Sequence, residues 1–62
     1  MGRKEIRVYN KRVYALDRVF RHKSDADRYA DAKRAKGVKA RVIKQLKAGW
    51  NYPIWQVFTD EV

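Results

Sequence analysis

The sequence predicts an α+β domain in which one antiparallel four-stranded sheet carries a single helix on one face, in the order β-β-α-β-β. Strand-like runs rich in β-branched and aromatic residues flank one Ala-rich segment that has helix start and stop signals, and turn residues divide each flank in two. The 62 residues predict a single domain, residues 1–62, near the lower limit for independent folding. Because there is no cysteine, no disulfide can supplement the core.

The first hairpin is predicted over residues 5–20. Residues 5–9, "EIRVY", alternate apolar and charged side chains, and residues 12–20, "RVYALDRVF", are rich in strand formers. Asn10 and Lys11 form a plausible two-residue turn, since Asn tolerates a positive φ. Asp17-Arg18 interrupts the second run, which indicates a bulge or a turn at that point.

The helix is predicted over residues 25–36. Ser24, with Asp27 three residues later, fits a capping box, and Gly37 stands where a glycine would end the helix. Acidic residues fall early in this segment and basic residues fall late, which complements the helix dipole. The expected inward face is Ala26, Tyr29, Ala30 and the stem of Lys33.

The second hairpin follows Gly37. Residues 38–47, "VKARVIKQLK", alternate as a strand until Ile43 breaks the pattern, and "AGWNYP" reads as the connection. Pro53 precedes the last strand, "IWQVFT", at a position that a strand tolerates. The pattern alone leaves the register of this last strand open.

The two faces of the predicted sheet differ in character. One helix covers one face only, and small or β-branched side chains are expected beneath it: Ile6, Val8, Val13, Ala15, Val19, Val38, Ala40 and Val42. The other phase of each strand mixes bases with aromatic and aliphatic side chains: Arg7, Tyr9, Tyr14, Leu16, Arg18, Phe20, Lys39, Arg41 and Ile43. That second face must be wet, functional, or covered by a partner.

Charge indicates the class of partner. Sixteen Lys and Arg against seven Asp and Glu give +9 and a pI near 10.3, the electrostatic footprint of a nucleic-acid binder. The excess lies at +6 in residues 1–23 and +4 in residues 38–48, with only +1 in residues 24–37. This distribution favours a sheet-face site over a recognition helix.

We therefore expect a small nucleic-acid-binding protein of low sequence specificity, with single strands favoured and RNA or DNA left open. The candidate phosphate contacts are Arg7, Lys11, Arg12, Arg18, Lys39 and Arg41, and the candidate stacking residues are Tyr9, Tyr14 and Trp50. The alternative is a protein-interaction module, or a homodimer formed through the uncovered sheet face. Aromatic residues are also ordinary core residues of strands. Each candidate stacking residue could therefore be a core residue instead.

The sequence contains little that would support catalysis. His22, Ser24 and Thr59 are the only residues of their types, so no nucleophile–base–acid arrangement can be assembled. There is no Cys/His cluster for zinc and no glycine-rich phosphate loop. We expect no enzyme activity, no cofactor and no metal site. No apolar run approaches the ~18 residues of a membrane span, so no membrane partner and a cytoplasmic location are expected.

Residues 18–58, "RVFRHKSDADRYADAKRAKGVKARVIKQLKAGWNYPIWQVF", resemble the core pattern of SPOR domains. The matching positions are Phe20, Ala26, Ala30, Gly37, Ala40, Val42 and Trp55. The resemblance implies strand-helix-strand-strand order and a ligand site on the sheet face, where SPOR domains bind peptidoglycan glycan strands. The chain departs from that pattern in lacking a second helix and in carrying Lys33 where Leu is usual.

Overall fold

The computed structural model describes residues 5–60 and confirms the predicted fold class. The elements are β1 (Ile6–Tyr9), β2 (Arg12–Phe20), α1 (Lys23–Ala35), β3 (Ala40–Gln45) and β4 (Ile54–Thr59). They form one antiparallel sheet in the order β1-β2-β4-β3, so β1 and β3 are its edges. No helix within these residues is long and apolar enough to cross a membrane.

The turn between β1 and β2 is the predicted two-residue hairpin. Asn10 and Lys11 have φ angles of 49° and 63°, and Tyr9 pairs with Arg12 on either side of them. Positive φ at both central residues is the geometry of a type I′ turn, whose twist matches that of the flanking strands. The turn therefore sets the register of the whole β1–β2 pair.

A bulge at Asp17 divides β2 into two phases. Leu16 pairs with Phe58 and Arg18 with Val57, so Asp17 is the extra residue. One inserted residue moves every later side chain to the opposite face. A bulge was one of the two alternatives expected here, the other being a turn, but its consequence was not predicted: the expected positions of Arg18 and Phe20 on the open face, and of Val19 beneath the helix, were wrong.

The helix begins earlier than predicted. His22 is the N-cap, with an extended backbone (φ −120°, ψ 133°), and its carbonyl accepts from the N–H of Ala26 at 3.2 Å. No side chain caps this end. Ser24 lies inside the first turn, so the prediction that it is the cap was wrong. The helix starts where the extended chain leaving β2 ends.

The helix end follows the prediction. Gly37 has a φ of +84°; its N–H donates to the Arg34 carbonyl at 2.9 Å, and the Val38 N–H donates to the Lys33 carbonyl at 3.1 Å. These two bonds are those of a Schellman motif. Arg34 also donates from Nη2 to the Ala40 carbonyl at 2.9 Å, which ties the end of the helix to the start of β3.

The core lies between α1 and the strands β2, β4 and β3. It consists of Ala26, Ala30, Ala40 and Val57, with Phe20, Tyr29, Val42 and Trp55 packed against them. The alanines keep the helix face thin, so the helix can lie close to the sheet. The helix does not reach β1. Ile6, Val8 and Val13 are consequently exposed, and the prediction that they lie beneath the helix was wrong.

The opposite face of the sheet carries no helix. Register places the side chains of Ile54, Gln56 and Phe58 from β4 on this open face, beside Leu16 of β2 and Arg41 of β3. Phe58 is nevertheless fully buried. The side chain of Arg7, from β1, reaches over the Phe58 ring, and this contact belongs to the candidate site.

Candidate nucleic-acid interface

Five side chains from four strands meet on the open face. We call Arg7, Tyr9, Tyr14, Arg41 and Phe58 the arginine–tyrosine cluster. The Arg41 guanidinium carbon lies 4.1 Å from the centre of the Tyr9 ring, and that of Arg7 lies 4.9 Å from the centre of the Phe58 ring. The rings of Tyr9 and Tyr14 meet edge to face at 5.6 Å. The cluster thus places two guanidinium groups over aromatic rings.

The two arginines of the cluster differ in their electrostatic partners. Arg7 forms an ion pair with Glu5 at 2.8 Å and donates to the Tyr9 hydroxyl at 3.4 Å. The hydrogen bond to Tyr9, followed by that to Glu5, raises the pKa of Arg7 above its ordinary value. Arg41 has no carboxylate partner among residues 5–60. Arg41 is therefore the cation of the cluster whose charge is available to a ligand.

Asp60 joins the rim of the cluster. Its carboxylate accepts from Arg12 Nη1 at 3.1 Å and from the Lys39 backbone N–H at 3.0 Å. Its own N–H donates to the Lys39 carbonyl at 3.1 Å. Asp60 thus holds the end of the first hairpin beside the start of β3, so Arg12, Lys39 and the turn residue Lys11 lie around the same end of the sheet.

Most acidic side chains of residues 5–60 form ion pairs with bases that lie outside β3. On the helix, Asp27 pairs with Lys23 at 2.9 Å and Asp31 with Arg34 at 3.0 Å. Within the part of the chain that the structure describes, four bases in and beside β3 have no carboxylate partner: Lys39, Arg41, Lys44 and Lys47. The edge strand β3 therefore carries uncompensated positive charge. Lysine on an edge strand also discourages strand-to-strand aggregation.

The structure changes the role that Tyr14 can play. Tyr14 is only 6% exposed, packed beside Tyr9 on the open face. A nucleobase needs an accessible ring face, which Tyr14 does not offer in this packing. Tyr9 is half-buried, and the Arg41 guanidinium over it presents a second plane, since bases also stack on guanidinium groups. Tyr14 therefore packs against Tyr9 and holds its ring in place.

Two of the predicted site residues lie elsewhere. Arg18 is on the helix side of the sheet, where its guanidinium carbon lies 5.5 Å from the centre of the Tyr29 ring. Trp50 lies in the loop between β3 and β4, at the opposite end of the strands from the first hairpin turn. The structure thus brings together Arg7, Tyr9, Tyr14 and Arg41, with Lys11, Arg12 and Lys39 at the rim, and separates Arg18 and Trp50 from them.

Sequence reasoning missed Phe58 and Tyr52 as site residues. Phe58 belongs to the cluster because the register of β4 puts it between Leu16 and Arg41. That register was open in the sequence, and "IWQVFT" is apolar in both phases. Tyr52 has a signal of its own, since it stands two residues after Trp50 beside a glycine turn. Arg21, whose guanidinium carbon lies 4.1 Å from the Tyr52 ring centre, had none.

No protein-family model, no curated protein and no solved structure matches this chain. The resemblance to SPOR domains and the glycan binding that it implies therefore stay predictions from the sequence pattern. Within residues 5–60, no three His, Cys, Asp or Glu side chains lie close enough together to hold a metal ion.

Proposed function

We propose that this protein binds single-stranded nucleic acid through the open face of its sheet, with low sequence specificity. The observation that carries the proposal is Arg41, an exposed cation without a carboxylate partner in the described chain, whose guanidinium carbon lies 4.1 Å from the centre of the Tyr9 ring. A guanidinium on a ring offers a plane for a base and a charge for a phosphate in one place.

The surrounding charge supports the same proposal. Lys11, Arg12 and Lys39 around the cluster would contact phosphates, and Arg7 adds a further positive charge, since arginine is always protonated in proteins. Phosphate contacts carry no sequence information, and every base has a face that can stack. Phosphate contacts and base stacking therefore both predict low sequence specificity. RNA and DNA fit this surface equally.

The decisive experiment compares two matched charge reversals. Arg41→Glu and Arg28→Glu each replace an exposed arginine that has no carboxylate partner in the described chain, and each changes the net charge equally. We expect Arg41→Glu to weaken binding of a single-stranded oligothymidylate at least about tenfold, and Arg28→Glu by less than about threefold. Fluorescence anisotropy across a salt series measures both, and the salt slope should fall by roughly one for a lost phosphate contact.

Arg41→Lys separates stacking from charge. Lysine keeps the positive charge but has no plane, so we expect the salt slope to be preserved while affinity for a single strand falls. Equal losses in Arg41→Glu and Arg28→Glu would reduce the interaction to attraction by net charge. Absence of binding at low salt would refute the proposal.

A second candidate function is self-association at the β1 edge. Ile6, Val8 and Val13 expose apolar side chains beyond the reach of the helix, and Val8 is 63% exposed. The Leu16 N–H donates to the Glu5 carbonyl at 2.8 Å. By antiparallel alternation, the backbone groups of Ile6 and Val8 then point away from β2, and they have no strand partner within residues 5–60.

The occupant that suits this edge is a second copy of the chain. Within the described residues, only Phe58 and Val57 are large side chains with almost no exposure, so burying two β1 edges would enlarge a small core. Because each copy carries +9, association should strengthen as salt screens the repulsion, which is opposite to nucleic-acid binding.

Sedimentation equilibrium at low and high salt tests this candidate. Val8→Lys should abolish any dimer, whereas Val19→Lys, at a valine 47% exposed on the open face, should leave it intact. A monomer at every salt concentration would refute self-association. Equal effects of the two substitutions would place the contact elsewhere.

A further inference from the structure

The loop between β3 and β4 carries a concentration of exposed apolar side chains. We call residues 46–53 the hairpin tip. Leu46, Trp50 and Tyr52 are all exposed there, with Trp50 at 42% and Tyr52 at 48%. The tip turns where the Trp50 N–H donates to the Lys47 carbonyl at 3.1 Å and Gly49 takes a φ of +91°, as a type II turn requires. The turn holds both aromatic side chains beside one cavity.

That cavity has the size and lining of a site for a flat ligand. It measures about 330 Å³ and is lined by Gly49, Trp50, Asn51, Tyr52 and Ile54. Two rings supply apolar surface for stacking, and the Asn51 amide carries both a donor and an acceptor. Such a lining suits a planar heterocycle with polar edges.

Each ring of the tip is also accompanied by a cation. Lys47 Nζ lies 5.7 Å from the centre of the Trp50 ring, and the Arg21 guanidinium carbon lies 4.1 Å from that of Tyr52. Neither cation has a carboxylate partner in residues 5–60. A ligand that stacks on either ring would thus lie near a positive charge.

We propose that the hairpin tip is a second, separate binding site, which takes one unpaired nucleobase of a strand whose phosphates meet Lys47 and Arg21. This inference rests on the proposed nucleic-acid function and extends it from one site to two. The tip combines an aromatic cavity, an amide and flanking cations, which are the parts that proteins use to hold an unstacked base.

The two sites lie at opposite ends of the strands. Along β4, Phe58 of the arginine–tyrosine cluster is four residues from Ile54 of the tip cavity, a span of roughly 13 Å at strand rise. Ile43 of β3 and Gln56 of β4 lie on the open face between the two ends. A nucleic-acid strand long enough to bridge this span binds both sites at once, so affinity should rise with oligonucleotide length.

An anionic membrane surface is the other macromolecular partner that aromatic and basic side chains on a loop can meet. The structure favours the nucleobase, because Trp50 and Tyr52 line a shared cavity and each is about half-covered, with cations over their rings. A membrane anchor would extend its rings outward, whereas these two rings line a cavity that a base can enter.

Oligothymidylates of about 4 and about 12 nucleotides test the inference. We expect the longer strand to bind the wild-type chain more tightly and to quench the fluorescence of Trp50, which is the part of the emission that Trp50→Phe removes, the remainder belonging to Trp55. The double substitution Trp50→Ala, Tyr52→Ala should reduce the affinity for the longer strand about 5- to 150-fold, which corresponds to the loss of one stacked base. It should also abolish the difference in affinity between the longer and the shorter strand. Trp50→Phe should retain most of the affinity.

The control is Leu46→Ala, which removes an exposed apolar side chain of the tip that does not line the cavity. It should leave both affinities unchanged. Far-ultraviolet circular dichroism confirms that each variant is folded. Anionic phosphatidylserine vesicles form a further arm, in which we expect no shift of Trp50 emission.

The outcomes separate the two proposals. If the longer strand binds but Trp50 emission is unaltered and the double variant binds as the wild type does, the tip inference is overturned and the sheet-face proposal stands. If no oligonucleotide binds at low salt, the sheet-face proposal falls and the tip inference falls with it. A blue shift of Trp50 with vesicles and none with oligonucleotides would overturn the tip inference in favour of a membrane surface.

Discussion

Single residues with special backbone geometry mark where the helix ends and the hairpins turn. Gly37 has a positive φ, and no heavy atom lies within 4 Å of the position that a Cβ would occupy there. A side chain at Gly37 would therefore meet no steric contact, and its cost would come from the backbone conformation alone. Ser24, by contrast, lies within the first helical turn and caps nothing.

At the scale of the residue we predict that a substitution at the C-terminal end of the helix destabilises the fold, whereas one in the first helical turn does not. Gly37→Ala should lower the free energy of unfolding by about 1–2 kcal/mol, because an L-residue disfavours the left-handed region. Ser24→Ala should change it by less than about 0.5 kcal/mol, since no cap is lost. Urea denaturation measures both. A loss of about 1 kcal/mol or more in Ser24→Ala would show that the helix begins at residue 25 after all.

Among the elements, β2 is the one whose irregularity organises the fold. The bulge residue Asp17 accepts from the Tyr29 hydroxyl at 3.0 Å and lies 3.6 Å from Lys33 Nζ. Both partners are on the inward side of the helix, and all three side chains are half-buried. The bulge therefore supplies the polar contact that fixes the helix against the sheet.

At this scale we predict that Asp17→Ala destabilises the domain more than a surface acid does. The loss should be about 1.5–3 kcal/mol, because a hydrogen bond to a charged, partly buried group is removed. Asp27→Ala breaks only the exposed pair with Lys23 at 2.9 Å and should cost at most about 1 kcal/mol. Urea denaturation of both variants decides, and equal losses would mean that the Asp17 contact contributes nothing beyond a surface ion pair.

The whole molecule has a small core and a large positive charge. A 62-residue domain has a total stability of about 3–9 kcal/mol at ordinary values per residue. Phe58 is fully buried, contributes to the open face and lies beneath Arg7 at 4.9 Å. Core and candidate interface therefore share this residue.

At the scale of the molecule we predict that Phe58→Ala costs about 3–5 kcal/mol, which is a large share of a total stability of about 3–9 kcal/mol. Thermal unfolding followed by circular dichroism should show a strongly lowered melting temperature. Leu46→Ala, at an exposed position, should change stability by less than about 0.5 kcal/mol. A folded Phe58→Ala variant with near wild-type melting would show that the open face contributes little to the core.

Local signals in the sequence determined the element order, the first hairpin turn, the interruption of β2 at Asp17-Arg18 and the glycine that ends the helix. Each depends on a residue and its immediate neighbours: Asn10 tolerates positive φ, Gly37 has no Cβ, and alanines at helical spacing make a thin face. Most of the cluster, Arg7, Tyr9, Tyr14 and Arg41, was also predictable, because alternation in strands assigns faces wherever it is unbroken.

Only the tertiary structure decided which residues past the bulge face the helix, how β4 is registered, and how far the helix reaches. Arg18 changed face because one extra residue reverses strand phase, and no local pattern shows whether a charged interruption is a bulge or a turn. Phe58 joined the cluster, and Val8 stayed exposed, because pairing and coverage depend on contacts between residues far apart in the chain. Neighbouring residues in the sequence specify the helix, the strands and the turns. The candidate site, by contrast, arises from the way in which the strands pack together.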